Sequence, residues 1–573
     1  MGKTLVCEVE NHPFTLDDAD LAAYAKFDVE PLPICFPHQH EWRLGFRSDR
    51  FLFRRTCDLT GASILSMYPQ DAPYKVYERE AWFSDRWDPL SYGRDFDFNR
   101  PFFEQYADLQ RVVPRVALGN VGSTNSDYCN SCVFNKNCYL IFGGDRNEDC
   151  MFGALPMFCK NCLDCDWTNK CELCYECAYC ENCYQCRYTF NSKNCSNCAF
   201  VEDCIGCSDC LFSFNLRNKS YYIENQPYSK EEYFAKKEEL LRGGFQKYQQ
   251  LWQRFLELRK NRVVKYAHIV NAENSSGDTI TNSKNCIRCF EMIGSEDCRE
   301  VVCGWDNKDC FDCDYTGYKS ELNFNNLSTD TAYKVFCSYF TVASSNIEYS
   351  ELSISSKNLF GCISLRNQQY AILNKKYSPE NFKNLREKII LHMKKTWAPH
   401  GGAAQAERES GFASSSETER KHQEWGRYFP KTLSTFPYNR TTASFLFPLT
   451  KEQALRHGFH WKDEETHPEP QTYQIPDDIH DVPDSISEET LACEKTGKNF
   501  RIIPQELAFY RLQGLPIPRH CPDQRYMDRL ALRNPFQLFA RKCAKCQSAV
   551  QTTYAPDRTE MIYCEKCYLE TVY

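Results

Sequence analysis

Lys136-Asn137-Cys138, Glu148-Asp149-Cys150 and Lys160-Asn161-Cys162 open a stretch, residues 136–210, in which one three-residue signature keeps returning. It continues as Glu181-Asn182-Cys183, Lys193-Asn194-Cys195 and Glu202-Asp203-Cys204. It comes back as Lys284-Asn285-Cys286, Glu296-Asp297-Cys298 and Lys308-Asp309-Cys310. The commonest step is twelve residues, sometimes nine, and a second Cys often follows three residues on (Cys165, Cys186, Cys198, Cys207, Cys289, Cys313). Fixed-period self-similarity marks a repeat architecture, and this period is too short for a helix-turn-helix unit. Asn and Asp tolerate left-handed backbone and cap their own turns. The stretch therefore predicts a narrow β-solenoid with Asx turns and Cys stacked on Cys along its inside. The first signature residue alternates Lys, Glu, Lys at twelve-residue steps. A twelve-residue coil stacks opposite charges about 4.8 Å apart, whereas a twenty-four-residue coil would stack like on like. The narrow coil is expected.

A chain of 573 residues is too long for one core, so several domains are expected. The net charge of -8 argues against a whole-protein electrostatic grip on nucleic acid or an anionic membrane. No apolar run is long enough to span a bilayer, and the first residues lack the apolar core of a signal peptide. A cytoplasmic protein without a membrane partner is the expectation. Its 35 cysteines should then be reduced thiols or metal ligands, not disulfides. Eighteen lie in 129–210 and eight in 286–362, so the three before residue 60 and the six after 492 need a separate explanation.

The ends supply it. Shifted by 486 residues, Cys7 falls on Cys493, Cys35 on Cys521, Arg43-Leu44 on Arg529-Leu530, Arg47 on Arg533, Cys57 on Cys543, Tyr68 on Tyr554 and Tyr77 on Tyr563, without a gap. The termini are sister modules. The second holds Cys543-x2-Cys546, seventeen residues, then Cys564-x2-Cys567. Two such knuckles bring four thiolates onto one tetrahedral Zn²⁺ at about 2.3 Å. The first sister has Cys57, Thr60, Glu78 and Ala81 at those places, so that site is lost. A second quartet is Cys7, Glu10, Cys35 and His38, with His12 or His40 able to replace the poor ligand Glu10. Its counterpart is Cys493, Thr496, Cys521 and Gln524.

The solenoid is also doubled: Leu216-Arg217-Asn218 through Tyr228-Ser229 matches Leu365-Arg366-Asn367 through Tyr377-Ser378. Each copy hands over to a helix. Ser229 with Glu232 forms a capping box, and Ser378-Pro379 an N-cap followed by proline. Such helices would cover an exposed strand edge. The fold class is thus multidomain and mainly β: a Cys-rich narrow β-solenoid in two copies, each followed by a helix, flanked by duplicated zinc-ribbon-like terminal modules. The expected divisions are a degenerate module 1–90, an aromatic connector 91–127, the first solenoid 128–228 and a helix 229–265. The second solenoid at 266–377 is followed by a helix 378–397, a disordered linker 398–423, an extended strap 424–488 with a short helix over 451–457, and the zinc ribbon 489–573. Within 82–106, Trp82, Trp87 and Tyr92-Gly93-Arg94-Asp95-Phe96-Asp97 read as an aromatic clamp on the solenoid end, in preference to a pocket with Asp95 and Asp97 as acids.

The aromatic motif of 92–103, the Lys/Glu-Asn/Asp-Cys repeats, Tyr228-Ser229-Lys230-Glu231-Glu232-Tyr233, Phe447-Pro448-Leu449-Thr450-Lys451-Glu452 and Phe500-Arg501-Ile502-Ile503-Pro504 together carry a resemblance. The chain resembles a Cys-rich, zinc-ribbon-ended repeat protein family of candidate-phylum (reduced-genome) bacteria, over nearly its whole length. The resemblance implies zinc at Cys543, Cys546, Cys564 and Cys567. It also implies Cys where this chain has Glu10, His38, Thr496 and Gln524, and it implies no activity.

Three functional classes remain. A zinc-binding structural or interaction scaffold is preferred, with nucleic acid or another protein as partner. Arg525, Arg529, Arg533, Arg541, Lys542 and Lys545, interleaved with Tyr526, Phe536 and Phe539, could form a phosphate-contacting surface or simply a solvated face. A thiol-rich metal store or redox buffer is the alternative, resting on Cys171, Cys174, Cys177, Cys180, Cys183 and Cys186. Their neighbours Glu172, Glu176 and Glu181 oppose the depressed thiol pKa that redox chemistry needs. A β-helix carbohydrate enzyme needs convergent carboxylates that the signature does not supply. No phosphate loop, dinucleotide fingerprint, nucleophile elbow or His-Glu-x-x-His occurs, so no catalytic residue is assigned.

Overall fold

Backbone hydrogen bonding settles the coil size. In the computed structural model, which describes residues 2–396, 423–464, 469–471 and 473–572, Lys136 bridges Glu148 and Glu148 bridges Lys160 in parallel, and the twelve-residue offset runs on to residue 223. A second parallel stack runs from Ile269–Val270 through Glu351–Ile354 and, on another side, from Tyr333–Phe336 to Gln369–Ile372. The chain is multidomain and mainly sheet, with two solenoid-like stacks. Asn137 donates its side-chain amide to Asp149 at 3.1 Å, as neighbouring signatures one coil apart must. Glu148 sits between Lys136 (2.9 Å) and Lys160 (3.3 Å), so the charge alternation forms a ladder.

The coil is built from three-residue sides. Leu155, Phe158, Asn161 and Asp164 have φ of 54°, 55°, 49° and 55°, a left-handed corner at every third position. Such a corner costs a non-glycine residue about 1 kcal/mol or more. It is held because both flanking groups are bonded: Asp149 N–H donates to Lys136 O at 3.0 Å and Glu148 N–H to Cys159 O at 2.9 Å. The residue after each corner points inward. From Cys159 the inward series reads Cys162, Cys165, Thr168, Cys171, Cys174, Cys177, Cys180, all buried. The strict three-residue Cys spacing is therefore the side length of the coil.

Cysteine suits the interior for a further reason. Its S–H donates to the carbonyl two residues back or nine ahead: Cys150 to Glu148 O at 3.3 Å, Cys138 to Asn147 O at 3.5 Å. Ser192 makes the same bond to Phe190 O at 2.8 Å and accepts from Cys204 N–H at 3.1 Å. Burial pushes the Cys162 and Cys177 thiols well up, which keeps them as donors. All 35 cysteines are free.

Each stack is closed by an asparagine. The amide of Asn225 accepts from Phe214 N–H at 2.8 Å and donates to Phe214 O at 2.9 Å, standing in for the missing next strand. Asn374 does the same to Ile363. The predicted helices follow, Lys230–Leu241 with its Ser229/Glu232 capping box and Pro379–Met393 capped by Ser378. The first breaks at Gly243-Gly244 and resumes as Phe245–Lys260.

One boundary and the character of the strap differ from expectation. The first stack begins at Asn120–Val121, inside the connector, which also holds the helix Phe102–Val112. The strap is folded, with Lys451–Arg456 helical as predicted and Trp425, Tyr428 and Phe429 buried. Residues 398–422 of the predicted linker lie outside the described residues. The aromatic run does clamp: Gly93 lies so close to Asn374 that a Cβ would stand 2.6 Å from its carbonyl, and Asp95 pairs with Lys375 at 2.7 Å at the surface. Asp95 is thus occupied, and Asp97 accepts from Asn99 N–H at 2.9 Å.

The sister modules keep one order of elements at the 486-residue shift. Helix Phe36–Leu44 corresponds to Pro522–Leu530, strand Phe53–Thr56 to Phe539–Lys542, and Ser63–Ser66 to Ala549–Thr552. Both dock through the equivalent arginine. Arg529 binds Asp166 at 2.6 Å and Asp164 at 3.1 Å, both buried, and the half-buried Glu176 at 3.1 Å on the first stack. Arg43 binds Asp314 and, at 3.5 Å, Asp312 on the second.

His268 joins three parts. It lies 2.9 Å from Asp203 of the first stack and 3.1 Å from Asp278 of the second, and Asp278 accepts from Thr553 of the carboxy-terminal module at 2.9 Å. Burial works against its charge, and the Asp278 and Asp203 carboxylates outweigh that and hold its pKa well above the ordinary 6.5.

Two outcomes are expected. Arg529→Ala leaves buried carboxylates unpaired and costs about 3–5 kcal/mol, measurable as a lowered urea midpoint with earlier amide exchange in residues 522–530. The His268 contribution is complete below about pH 6.5 and is lost as pH rises through its higher folded value. Amide exchange at 263–265 and 561–563 should therefore quicken with pH beyond the intrinsic rise, and that excess should vanish in His268→Gln.

Candidate metal centres

Four cysteines start the same local turn. Cys7 N–H donates to His12 O, Cys57 to Ala62 O, Cys493 to Lys498 O and Cys543 to Ser548 O, all at 2.8–2.9 Å. The fourth residue beyond each is left-handed: Asn11, Gly61, Gly497 and Gln547, with φ of 54°, 74°, 70° and 63°. This bend turns nearby backbone N–H groups towards the cysteine sulfur, which stabilises a thiolate. Each sister module thus carries two knuckles, and the side chains around them decide what each can hold.

Around Cys543 the set is complete. Hairpin Phe539–Lys542 with Ala549–Thr552 delivers Cys543 and Cys546; strand Met561–Tyr563 ends at Cys564, and helix Glu565–Val572 carries Cys567 in its first turn. The four Sγ atoms lie within 4.8 Å of one another, and Cys546 and Cys564 are 3.7 Å apart. Four sulfurs at about 2.3 Å from a tetrahedral ion stand about 3.8 Å apart, so the donor set fits. Burial opposes the Cys543 thiolate, but N–H groups of Cys546, Cys564 and Lys545 bring the thiol down to about 6. Burial and the neighbouring thiols hold Cys567 up at about 12, so metal binding releases protons here.

The amino-terminal module converges a different quartet: Cys7, His12, Cys35 and His38, again within 4.8 Å. His38 Nδ1 lies 3.2 Å from both Cys7 and Cys35 Sγ. The hairpin pairing of Lys3–Val6 with Pro13–Leu16 swings His12 back beside Cys7. Glu10 instead lies against the far nitrogen of His38, Oε2 to Nε2 at 3.6 Å. His40 is turned away, its Nδ1 on Asp314 at 2.6 Å. So the quartet uses His12 in place of Glu10. The hydrogen bond from Cys35 brings the Cys7 thiol down to about 3 and pushes Cys35 up. Burial opposes a charged His38, but the Cys7 thiolate raises its pKa.

The other two knuckles lack ligands. Cys57 accepts Glu78 N–H at 3.3 Å where the sister has Cys564. Cys493 and Cys521 have Thr496 as neighbour, 4.0 Å from Cys521 Sγ. Among the described residues, the two quartets are the sets of three or more His, Cys, Asp or Glu ligands that converge, and neither lies in a stack.

The basic surface expected of the carboxy-terminal module is largely internal. Arg525 and Arg529 are 4% and 5% exposed. Arg525 binds Glu506 at 3.0 Å and Asp164 at 3.3 Å, and Arg533 faces Glu291 at 3.4 Å over the Phe536 ring. Arg541 donates to Ala555 O at 2.6 Å and Lys545 pairs with Glu570 at 3.1 Å, leaving Lys542 and Lys545 as the exposed cations of that list. Sequence position could not show that these arginines point into the partner stack.

No protein-family model matches the chain, and no curated protein matches it. One solved structure, a "putative acetyltransferase" from Desulfovibrio desulfuricans G20, aligns with 9% identity and a TM-score of 0.11 over 39% of this chain and 63% of that one. Among the described residues no helix is long and apolar enough to cross a membrane.

Cys564→Ser should loosen residues 539–572 and abolish one bound metal, while the parallel stacks keep their far-UV signal. Amide exchange in 539–572 that stays at the wild-type rate would count against a metal holding this module.

Proposed function

We propose that the chain is a zinc-stabilised structural and interaction scaffold: two Cys-rich β-solenoids clasped by two zinc-ribbon-like modules. The observation that carries this reading is the coupling of ligand set to anchor. Each quartet sits in the module whose arginine, Arg43 or Arg529, is buried in the acidic pair of a stack. Four protein ligands complete a tetrahedral zinc shell and leave no open position for a reacting water. The proposed role of Cys543, Cys546, Cys564 and Cys567, and of Cys7, His12, Cys35 and His38, is therefore structural.

Interior thiols donating to carbonyls support packing over storage for the Cys171 to Cys186 series. The exposed face offers few free arginines for phosphate, so another protein is favoured over nucleic acid as partner. Metal analysis of the full chain tests this: two zinc ions per chain are expected. Four or more would favour the thiol store, and none would remove the proposal. Removal of zinc by a strong chelator should lower the thermal midpoint and quicken exchange in both modules before either stack.

A further inference from the structure

Where the amino-terminal module, both stacks, the strap and the carboxy-terminal module meet, they leave a cavity of about 30 Å³ between them. Arg50 lines it, held between the rings of Tyr526 (4.1 Å) and Phe142 (4.7 Å). Its side chain is only 7% exposed, and its Nη2 faces Asp523 at 3.7 Å. Nε and Nη1 are buried with no acceptor among the described residues, and so is the indole Nε1 of Trp167, a second lining residue. A buried unpaired donor costs about 1–3 kcal/mol, more on a charged group.

The unpaired atoms are all donors, and the nearby acid cannot serve them. Asp49 is taken by Arg47 at 2.5 Å and Ser131 at 2.6 Å. Asp523 also accepts from Lys498 at 2.6 Å on its other oxygen, so this carboxylate is shared and reaches only Nη2 of Arg50. A water accepts two hydrogen bonds and must also donate, whereas an oxyanion only accepts and is opposite in charge to the guanidinium. The volume suits a small anion.

We propose that this cavity binds a small oxyanion, of the size of inorganic phosphate or formate, through Arg50 and the indole N–H of Trp167, tying together the five segments that meet there. Its occupancy should couple to assembly, since a ligand that binds only the folded state stabilises it by mass action.

The test uses the full zinc-loaded chain. Thermal midpoints are titrated with phosphate, selenate, formate and chloride at constant ionic strength, and selenate is located by anomalous diffraction. A saturable rise with phosphate or selenate, or with formate alone, and selenate or formate density beside Trp167 is expected; which anion saturates at the lower concentration identifies the source. Trp167→Phe keeps the ring that stacks on Tyr179 at 5.5 Å and deletes only the donor. It should weaken the response at least about tenfold. Arg50→Met, which keeps the stem between the rings, should remove it. Water alone in the cavity, no saturable response, or a response unchanged in Trp167→Phe overturns the proposal, and the last readout stands even if the Arg50 variant does not fold.

Discussion

A left-handed corner at every third residue is the constraint on which the molecule depends. It sets the side length at three and the coil at twelve, apart from one coil of eleven and one of thirteen in the second stack, and it lets one side chain per side point inward. An interior that small cannot hold Leu or Phe at each level. The first stack takes mostly Cys, Ser, Thr, Gly and Asn, groups small enough to fit and able to satisfy the carbonyls that the corners turn inward, while the second gives one side to Val335, Ile347, Leu359 and Ala371 at successive levels. The strain at the corners is offset by continuous parallel hydrogen bonding, in which each coil completes its neighbour. A stack of this kind cannot stop without exposing a row of unpaired backbone groups. Asn225 and Asn374, followed by antiparallel hairpins and capped helices, terminate it.

The stacks are not held together by contacts with each other alone. Asp164-Cys165-Asp166 in the first recurs as Asp312-Cys313-Asp314 in the second. Each pair receives an arginine from the module at the far end of the chain from it, Arg529 and Arg43. The backbone pairing runs the other way. Strand Val76–Tyr77 of the first module pairs with Arg115–Val116, which leads into the first stack, and Met561–Tyr563 pairs with Val263–Lys265, which leads into the second. Each module thus bridges both stacks, and the halves of the chain are related like subunits of a symmetric pair. Buried ion pairs are poor sources of net stability but punish misplacement, because a stranded charge is costly. That makes them suited to fixing the docking register.

The metal quartets belong to this arrangement. Both modules retain two knuckle turns in backbone form, yet each has kept one complete ligand set, and not the same one. Where ligands were lost, packing fills in: Cys57 accepts a backbone N–H and lies in a core with Tyr77, Ala81 and Trp82. One metal per module would suffice, since the arginine helix and the strand pairing hold the remainder.

The repeat period, the coil size, the charge ladder, the capped helices and the Cys543, Cys546, Cys564, Cys567 quartet were all legible in the residues, because each depends on neighbours in sequence or on a fixed stacking interval. The equivalence of the two termini was legible too, since duplication preserves spacing. Tertiary structure decided the rest. His12 replaces Glu10 because a hairpin folds it back, and His40 is withdrawn because a buried Asp314 on the second stack claims it. Arg525, Arg529 and Arg533 look in sequence like an exposed basic face and are instead consumed by carboxylates some 240 to 360 residues away. Local pattern fixes which side of an element is polar. Only the packing of distant segments determines whether that polar side meets water, a metal or an opposite charge.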